Sequence, residues 1–342
     1  MDISKKLPQS VVDEFAALSR RTQLFPIPDR GFDPRAASPD TLRTFGLPVP
    51  QDYPRDSPGY IARHHFLDES ATDGPIKFLA ALSEDNSFFP TLSRAVTDAP
   101  WPAQKSNNWS GGYVLPRPGQ SLTGVTAKWT VPAVAAPGGA VQPEYQSSTW
   151  IGLDGQRDYP DSTLPQIGTQ QIWTTATGVP TYGTWFQWWA KGQYLGPQQL
   201  NLPVSSGHVV QAMLTVVDSI TVRFNIKNVT LGLILQAFDV VAPPQTVVAG
   251  ATAEWIMERP SPLGSDGWSA YRLPAFQGFS FTECSAESKP PGGTMPETID
   301  LELAKLIRMY EITQAPPAVQ TISLPTKILQ PPQRLDLTYT GP

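Results

Sequence analysis

From Asn107 onward the chain alternates short runs rich in Val, Ile, Thr and aromatic residues with breaks that carry Gly or Pro. Runs of that length and composition, bounded by turn residues, predict strands. They cover 122–131, 146–153, 164–173, 181–189, 208–217, 219–226, 230–238, 248–258, 275–283, 299–311 and 334–340. At such spacing the elements predict an all-β fold, an antiparallel sandwich or barrel. The stretch Thr298–Tyr310 also fits a helical period through Leu301, Lys305 and Arg308, and strand is the preferred assignment.

Residues 1 to about 105 read differently. Val11, Val12, Phe15 and Leu18 predict an amphipathic helix near 9–20. An irregular Pro- and Asp-rich stretch follows, through Phe25–Pro28 and Gly46–Pro50, and a second short helix is predicted over Ile76–Ser83. The apolar residues here are too sparse for an independent core, so the segment is expected to lie on something else. Two parts result: an N-terminal extension or pro-segment, 1–105, and a sandwich, 106–342.

Composition sharpens this picture. Proline accounts for 37 of 342 residues, about twice ordinary usage, which disfavours a helical bundle or a doubly wound fold. Ten Trp and only 16% charged residues point to a packed interior. The balance of 25 basic and 30 acidic side chains, with no basic run, argues against nucleic acid as partner. No stretch of about eighteen apolar residues exists, so no membrane-spanning helix is expected. The N-terminus lacks the pattern of a standard secretory signal. The single cysteine, Cys284, excludes an intramolecular disulfide and reads as a small buried hydrophobe.

Familiar catalytic signatures are missing: no Gly-x-Ser-x-Gly, no phosphate-binding Gly-rich loop with Lys-Ser/Thr, no His-Glu-x-x-His. His64 and His65 are neighbours that would point apart on a helix or strand, and His208 reads as a surface residue, so neither a metal nor a cofactor is expected. Asn108-Trp109-Ser110 and Asn228-Val229-Thr230 match glycosylation sequons, a pattern common by chance.

What remains is carboxylates and amides on aromatic strands. Between Thr252 and Glu258 a period of two puts Glu254, Ile256 and Glu258 on one face and Trp255 and Met257 on the other. That polar face reads either as the solvent side of an edge strand or as a polar concavity in which a desolvated Glu works as acid or base. Trp185, Gln187 and Trp189 likewise share a face, suited to gripping an extended peptide or glycan.

Six blocks then carry a resemblance: Asn108-Trp109-Ser110-Gly111-Gly112-Tyr113 with Lys128 to Pro132, Trp150-Ile151-Gly152-Leu153-Asp154-Gly155, Leu164-Pro165-Gln166-Ile167-Gly168-Thr169, Tyr182 to Trp189, Ala253 to Glu258, and Phe276 to Cys284. In this order, over about 107–315, they resemble the glutamic peptidases, or eqolisins. The resemblance implies a concanavalin-like sandwich of two curved antiparallel sheets. It also implies metal-independent hydrolysis of polypeptides at acid pH by one Gln and one Glu. By motif position these are Gln166 and Glu258. Trp150 and Asp154 fall on positions close to the family's active site, and Trp185, Gln187 and Glu254 on supporting or substrate-binding positions.

In the implied mechanism Glu258 takes a proton from the attacking water and returns it to the leaving amine. Gln166 donates to the developing oxyanion without titrating in acid. The chain also departs from the family. Gln187 stands where the family has Glu, which removes one charge, and Pro165 removes a backbone donor beside Gln166. The N-terminal extension resembles that of bacterial relatives; the fungal members have disulfides and secretion signals. The family implies secretion, and a monomer is expected. Two rivals stand beside this reading. One is a catalytically silent sandwich that binds glycan or peptide. The other is a glycosidase, for which Glu254 and Glu258 would lie about 13 Å apart on their strand, unsuited to either usual carboxylate spacing.

Overall fold

The computed structural model describes residues 17–72, 74–83, 91–92, 105–156, 163–190, 196–262, 270–293, 295–314 and 317–341. Among the described residues nineteen strands are joined in one hydrogen-bonded system. In chain order they are β1 Thr22–Leu24, β2 Lys77–Leu79, β3 Lys105–Ser106, β4 Trp109–Val114, β5 Ser121–Thr130, β6 Glu144–Leu153, β7 Leu164–Thr174, β8 Thr181–Trp189, β9 Gln198–Leu200 and β10 Val209–Asp218. They continue as β11 Thr221–Asn228, β12 Leu233–Leu235, β13 Phe238–Val241, β14 Ala253–Glu258, β15 Phe279–Lys289, β16 Glu297–Asp300, β17 Lys305–Gln314, β18 Pro317–Ile328 and β19 Arg334–Tyr339.

The pairings define two sheets. Sheet A runs β1-β13-β11-β10-β5-β15-β19-β18-β17. Sheet B runs β17-β4-β14-β6-β7-β8-β9. Strand β17 serves both: Lys305–Ile307 pair with β4, and Met309–Gln314 with β18. The main core lies between the sheets, where Trp129, Phe224 and Phe238 of sheet A meet Ile167, Phe186, Trp188 and Trp255 of sheet B. The all-β sandwich expected from the alternation is the fold observed.

The boundaries differ in places. The 230–238 run is two strands, β12 and β13, and the 299–311 run is β16 and β17 separated by one 3-10 turn at Leu301–Leu303. Strands β4 and β18 were not anticipated, because Gly111, Gly112, Pro317 and Pro325 dilute their β signature.

The extension departs furthest from expectation. Residues 17–20 are helical, and the rest of the helix expected near 9–20 lies outside the described residues. The helix expected over Ile76–Ser83 is instead β2, parallel to β12, because that strand supplies partners for its backbone. Two helices were not foreseen, α1 Pro39–Thr44 and α2 Pro58–Asp68. Their start signals are present all the same: Ser38 and Ser57 each cap a helix by accepting from a backbone N–H, and a proline follows each cap.

Candidate active site

The site is built on the face of sheet B that points away from the main core. On β14, Trp255 and Met257 enter that core, while Ile256 joins a second cluster with Trp109, Tyr113, Trp150, Leu164, Trp185 and Trp189. Strand alternation therefore turns Glu254 and Glu258 to the outward face. It does the same for Gln166 between Leu164 and Ile167, and for Gln187 between Phe186 and Trp188.

The register sorts these side chains into rows across the sheet. One row reads Tyr113, Glu254, Gly152, Gln166, Gln187. The next reads Gly111, Ile256, Trp150, Gly168, Trp185, and the third Trp109, Glu258, Ser148, Gln170, Gly183. Gln166 and Glu258 thus share a face, two rows and two strands apart. Gln166 is fully buried and Glu258 is 1% exposed. Strand β14 is central, flanked by β4 and β6, so the solvent-facing edge reading of its carboxylates does not hold.

Glu258 and Gln166 each have a defined anchor. Trp150 Nε1 donates to Glu258 Oε2 at 2.8 Å, and Asn108 Nδ2 donates to Oε1 at 3.4 Å. The Asn108 amide is itself oriented by the Ser106 hydroxyl, which donates to its Oδ1 at 3.0 Å. Arg259, next in the chain, donates from Nε to the Asn107 carbonyl at 3.0 Å and pairs with Glu311 at 3.2 Å, which pins the segment carrying Asn108. Gln166 Nε2 donates to Gln187 Oε1 at 3.0 Å. Trp109 packs edge-on against Trp150 with ring centroids 5.0 Å apart.

Two further carboxyls behave differently from Glu258. Asp154, in a left-handed conformation (φ 65°), accepts from the backbone N–H of Ala249, Gly250 and Ala251 at 2.7, 3.3 and 2.6 Å. Burial pushes its pKa up to about 6 despite those donors. In the fold, Asp154 holds the turn that leads into β14. Glu254 is buried with no hydrogen-bond partner on either oxygen. Burial pushes it well above the ordinary carboxylate range, and neighbouring Asp154 adds to the rise.

Among the described residues the outward face of sheet B carries no His or Cys. The histidines lie elsewhere: His64 stacks on Tyr60, His65 meets Glu283 at 3.0 Å, and His208 contacts Asn228. His65, Glu69 and Glu283 have metal-ligand spacing. Lys128 Nζ already sits 2.8 Å from Glu69 and 2.7 Å from Glu283, so an ammonium supplies the positive charge there. The two sequon asparagines are likewise engaged, Asn108 on Glu258 and Asn228 on the Pro203 carbonyl at 2.8 Å. Asn108 and Arg259 were not anticipated as site residues. Only Asn108 carried a signal, its place in the first motif block.

The sequence model of the Peptidase A4 family matches residues 107–323. Among solved structures, scytalido-glutamic peptidase with a transition state analog inhibitor is 20% identical, with 69% of this chain and 99% of that chain covered and a TM-score of 0.52. A second structure of that peptidase, with a peptide based transition state analog, gives the same identity, coverage and TM-score of 0.52. At this identity the likeness concerns the fold. No curated protein matches the chain.

Proposed function

The chain belongs to the Peptidase A4 family, and we propose that it is an acid-active glutamic endopeptidase in which Glu258 and Gln166 are the reacting pair. The observation that carries this reading is a shared face with two kinds of anchor. Glu258 is a carboxylate oriented by N–H donors from Trp150 and Asn108, and Gln166 is an amide held by Gln187.

In the proposed reaction Glu258 takes a proton from water as the oxygen attacks the scissile carbonyl. The amide N–H of Gln166 stabilises the oxyanion, a contribution typically of about 3–4 kcal/mol. Collapse breaks the C–N bond, and Glu258 returns the proton to the leaving amine. Glu254 supports the site as a neutral carboxyl, and Trp150, Trp185 and Gln187 shape the surface that takes an extended polypeptide. Every group comes from one chain, so a monomer suffices.

Gln166 and Glu258 are both buried in the intact chain, so substrate needs an opening step. Thr91–Leu92 of the extension pair with Ser261–Pro262, which begin three residues beyond Glu258. We propose that this part of the 1–105 extension restrains the site until the chain is cut.

The test is digestion of a denatured protein from about pH 2 to pH 7, by the intact chain and by the chain cut between Ser83 and Lys105, with pepstatin and a chelator present. Cleavage that resists both inhibitors and disappears in Glu258→Gln and Gln166→Ala is expected. A folded, cut chain that cleaves nothing but binds peptide or glycan would establish the silent-sandwich reading instead.

A further inference from the structure

Most of the extension does not lie near the candidate site. Leu42, Leu47, Val49, Ala62, Phe66 and Leu67 form a cluster with Met213 of β10 and Ile234 of β12. Alternation places Met213 opposite to Ala212 and Leu214, which enter the main core, so this cluster covers the outer face of sheet A. The extension also joins the sandwich through its backbone. Strand β1 is an edge strand on β13, and β2 pairs with β12. Farther on, Ser83 N donates to Gln199 O at 3.2 Å and Asn201 N donates to Ala81 O at 3.0 Å, on the edge strand of sheet B. Leu18 and Ala81 reach the main core itself.

The polar groups on that outer face are matched to this layer individually. Arg63 Nη1 meets Glu287 Oε1 at 3.0 Å, with side chains 3% and 0% exposed. Lys227 Nζ donates to the Phe66 carbonyl at 2.8 Å, and Gln211 Nε2 to that of Ala62 at 2.9 Å. Asn225 Nδ2 donates to the Gly46 carbonyl at 3.0 Å. Gly59 lets α2 approach: a Cβ there would sit 2.9 Å from the Tyr53 ring and 3.1 Å from Glu287 Oε1.

From these contacts we propose that residues 17–83 are a permanent layer of the enzyme, which stays bound as a non-covalent second chain after any cut between Ser83 and Lys105. Within the described extension, the part beyond Ser83 is then removable, and the working enzyme has two chains. A segment built to leave would not insert side chains into the main core, add two strands to sheet A, hydrogen-bond the edge of sheet B and supply partners for Glu287, Lys227, Gln211 and Asn225. The family match begins at residue 107, so the layer lies outside the matched region. The proposal extends the reading of a processed peptidase but does not depend on the Gln166 and Glu258 roles.

The test uses the full chain with a recognition sequence for a site-specific protease placed between Leu92 and Lys105. After cutting at neutral pH, native size-exclusion chromatography with mass spectrometry is expected to show both fragments in one peak at the size of the intact chain. Urea should separate them. Amide hydrogen exchange over α2 is expected to stay within about tenfold of the uncut protein. Elution of the N-terminal fragment apart from the sandwich would overturn the proposal. The readout involves no catalysis, so its failure and the failure of the peptidase reading are distinguishable.

Discussion

The indole Nε1 of Trp150 lies 2.8 Å from Oε2 of Glu258, a diagonal contact across two strands of sheet B. Trp150 stands opposite Ile256 in the register, so its ring reaches along β14 to find the carboxylate two residues on. Glycines make the room. A Cβ on Gly152 would meet Trp150 Cζ3 at 2.9 Å, and one on Gly168 would meet Trp150 Cβ at 2.5 Å.

Removal of this donor is predicted to act on turnover. Trp150→Phe keeps most of the packed ring and deletes the N–H. Hydrogen bonds to charged groups contribute roughly 1.5–3 kcal/mol, so kcat is expected to fall roughly 10- to 100-fold with a smaller change in KM. Unchanged kcat in a folded variant would separate Trp150 from the reaction.

Gly168→Ala is predicted to damage the sheet itself. The added methyl would also lie 2.3 Å from the Thr149 carbonyl, a backbone atom that cannot swing away. A loss of about 3 kcal/mol, near the upper end for overpacking, is expected in urea unfolding. A wild-type midpoint would contradict the contact.

Stability should fall as pH rises out of the acid range. Glu254 is raised well above its ordinary value in the folded chain, so above about pH 4.5 the unfolded state releases a proton that the folded state keeps. Asp154 acts in the same direction. Its rise from 3.8 to about 6 corresponds to about 3 kcal/mol of stability that is fully present below the unfolded value of 3.8 and is lost as the pH rises through about 6. Glu254→Gln carries no such proton. It is expected to match the wild type near pH 4 and to be more stable at pH 7 by denaturant titration. Equal stability at both pH values would rule out the buried, unpartnered carboxyl.

Arg63→Met is predicted to destabilise the layer over sheet A. It leaves Glu287 with the Ser285 hydroxyl at 3.4 Å as its remaining side-chain donor. Loss of one partner from a buried ion pair costs about 3–5 kcal/mol, and Arg63→Met with Glu287→Leu should recover much of that loss. Calorimetry of the three variants measures the coupling, and additive losses would show that the pair is not coupled.

Gln187→Glu restores a carboxylate beside the Gln166 amide. A second negative charge on this face disfavours ionised Glu258, so the acid limb of the pH–rate profile is expected to move to higher pH. A profile identical to the wild type would show that residue 187 does not act on Glu258.

Much of the site was readable along the chain. Alternation in Ala253–Glu258 and Tyr182–Trp189 assigned Glu254, Glu258, Trp185 and Gln187 to a face opposite Trp255 and Phe186, and the sheet keeps that assignment. Period two is local geometry, so neighbouring residues suffice to show it. The order of the motif blocks likewise carried the family.

The tertiary structure decided everything that depends on register and burial. Trp150 meets Glu258 across 108 residues of sequence, and Arg63 meets Glu287 across 224. Nothing local sets such distances; they follow from how strands align when two sheets close on one core. The same packing turned an apparent solvent face on β14 into a buried row and committed Asp154 to the 249–251 turn. It also placed residues 17–83 on sheet A. A segment too poor in apolar side chains to bury its own surface takes its position from the surface that completes it.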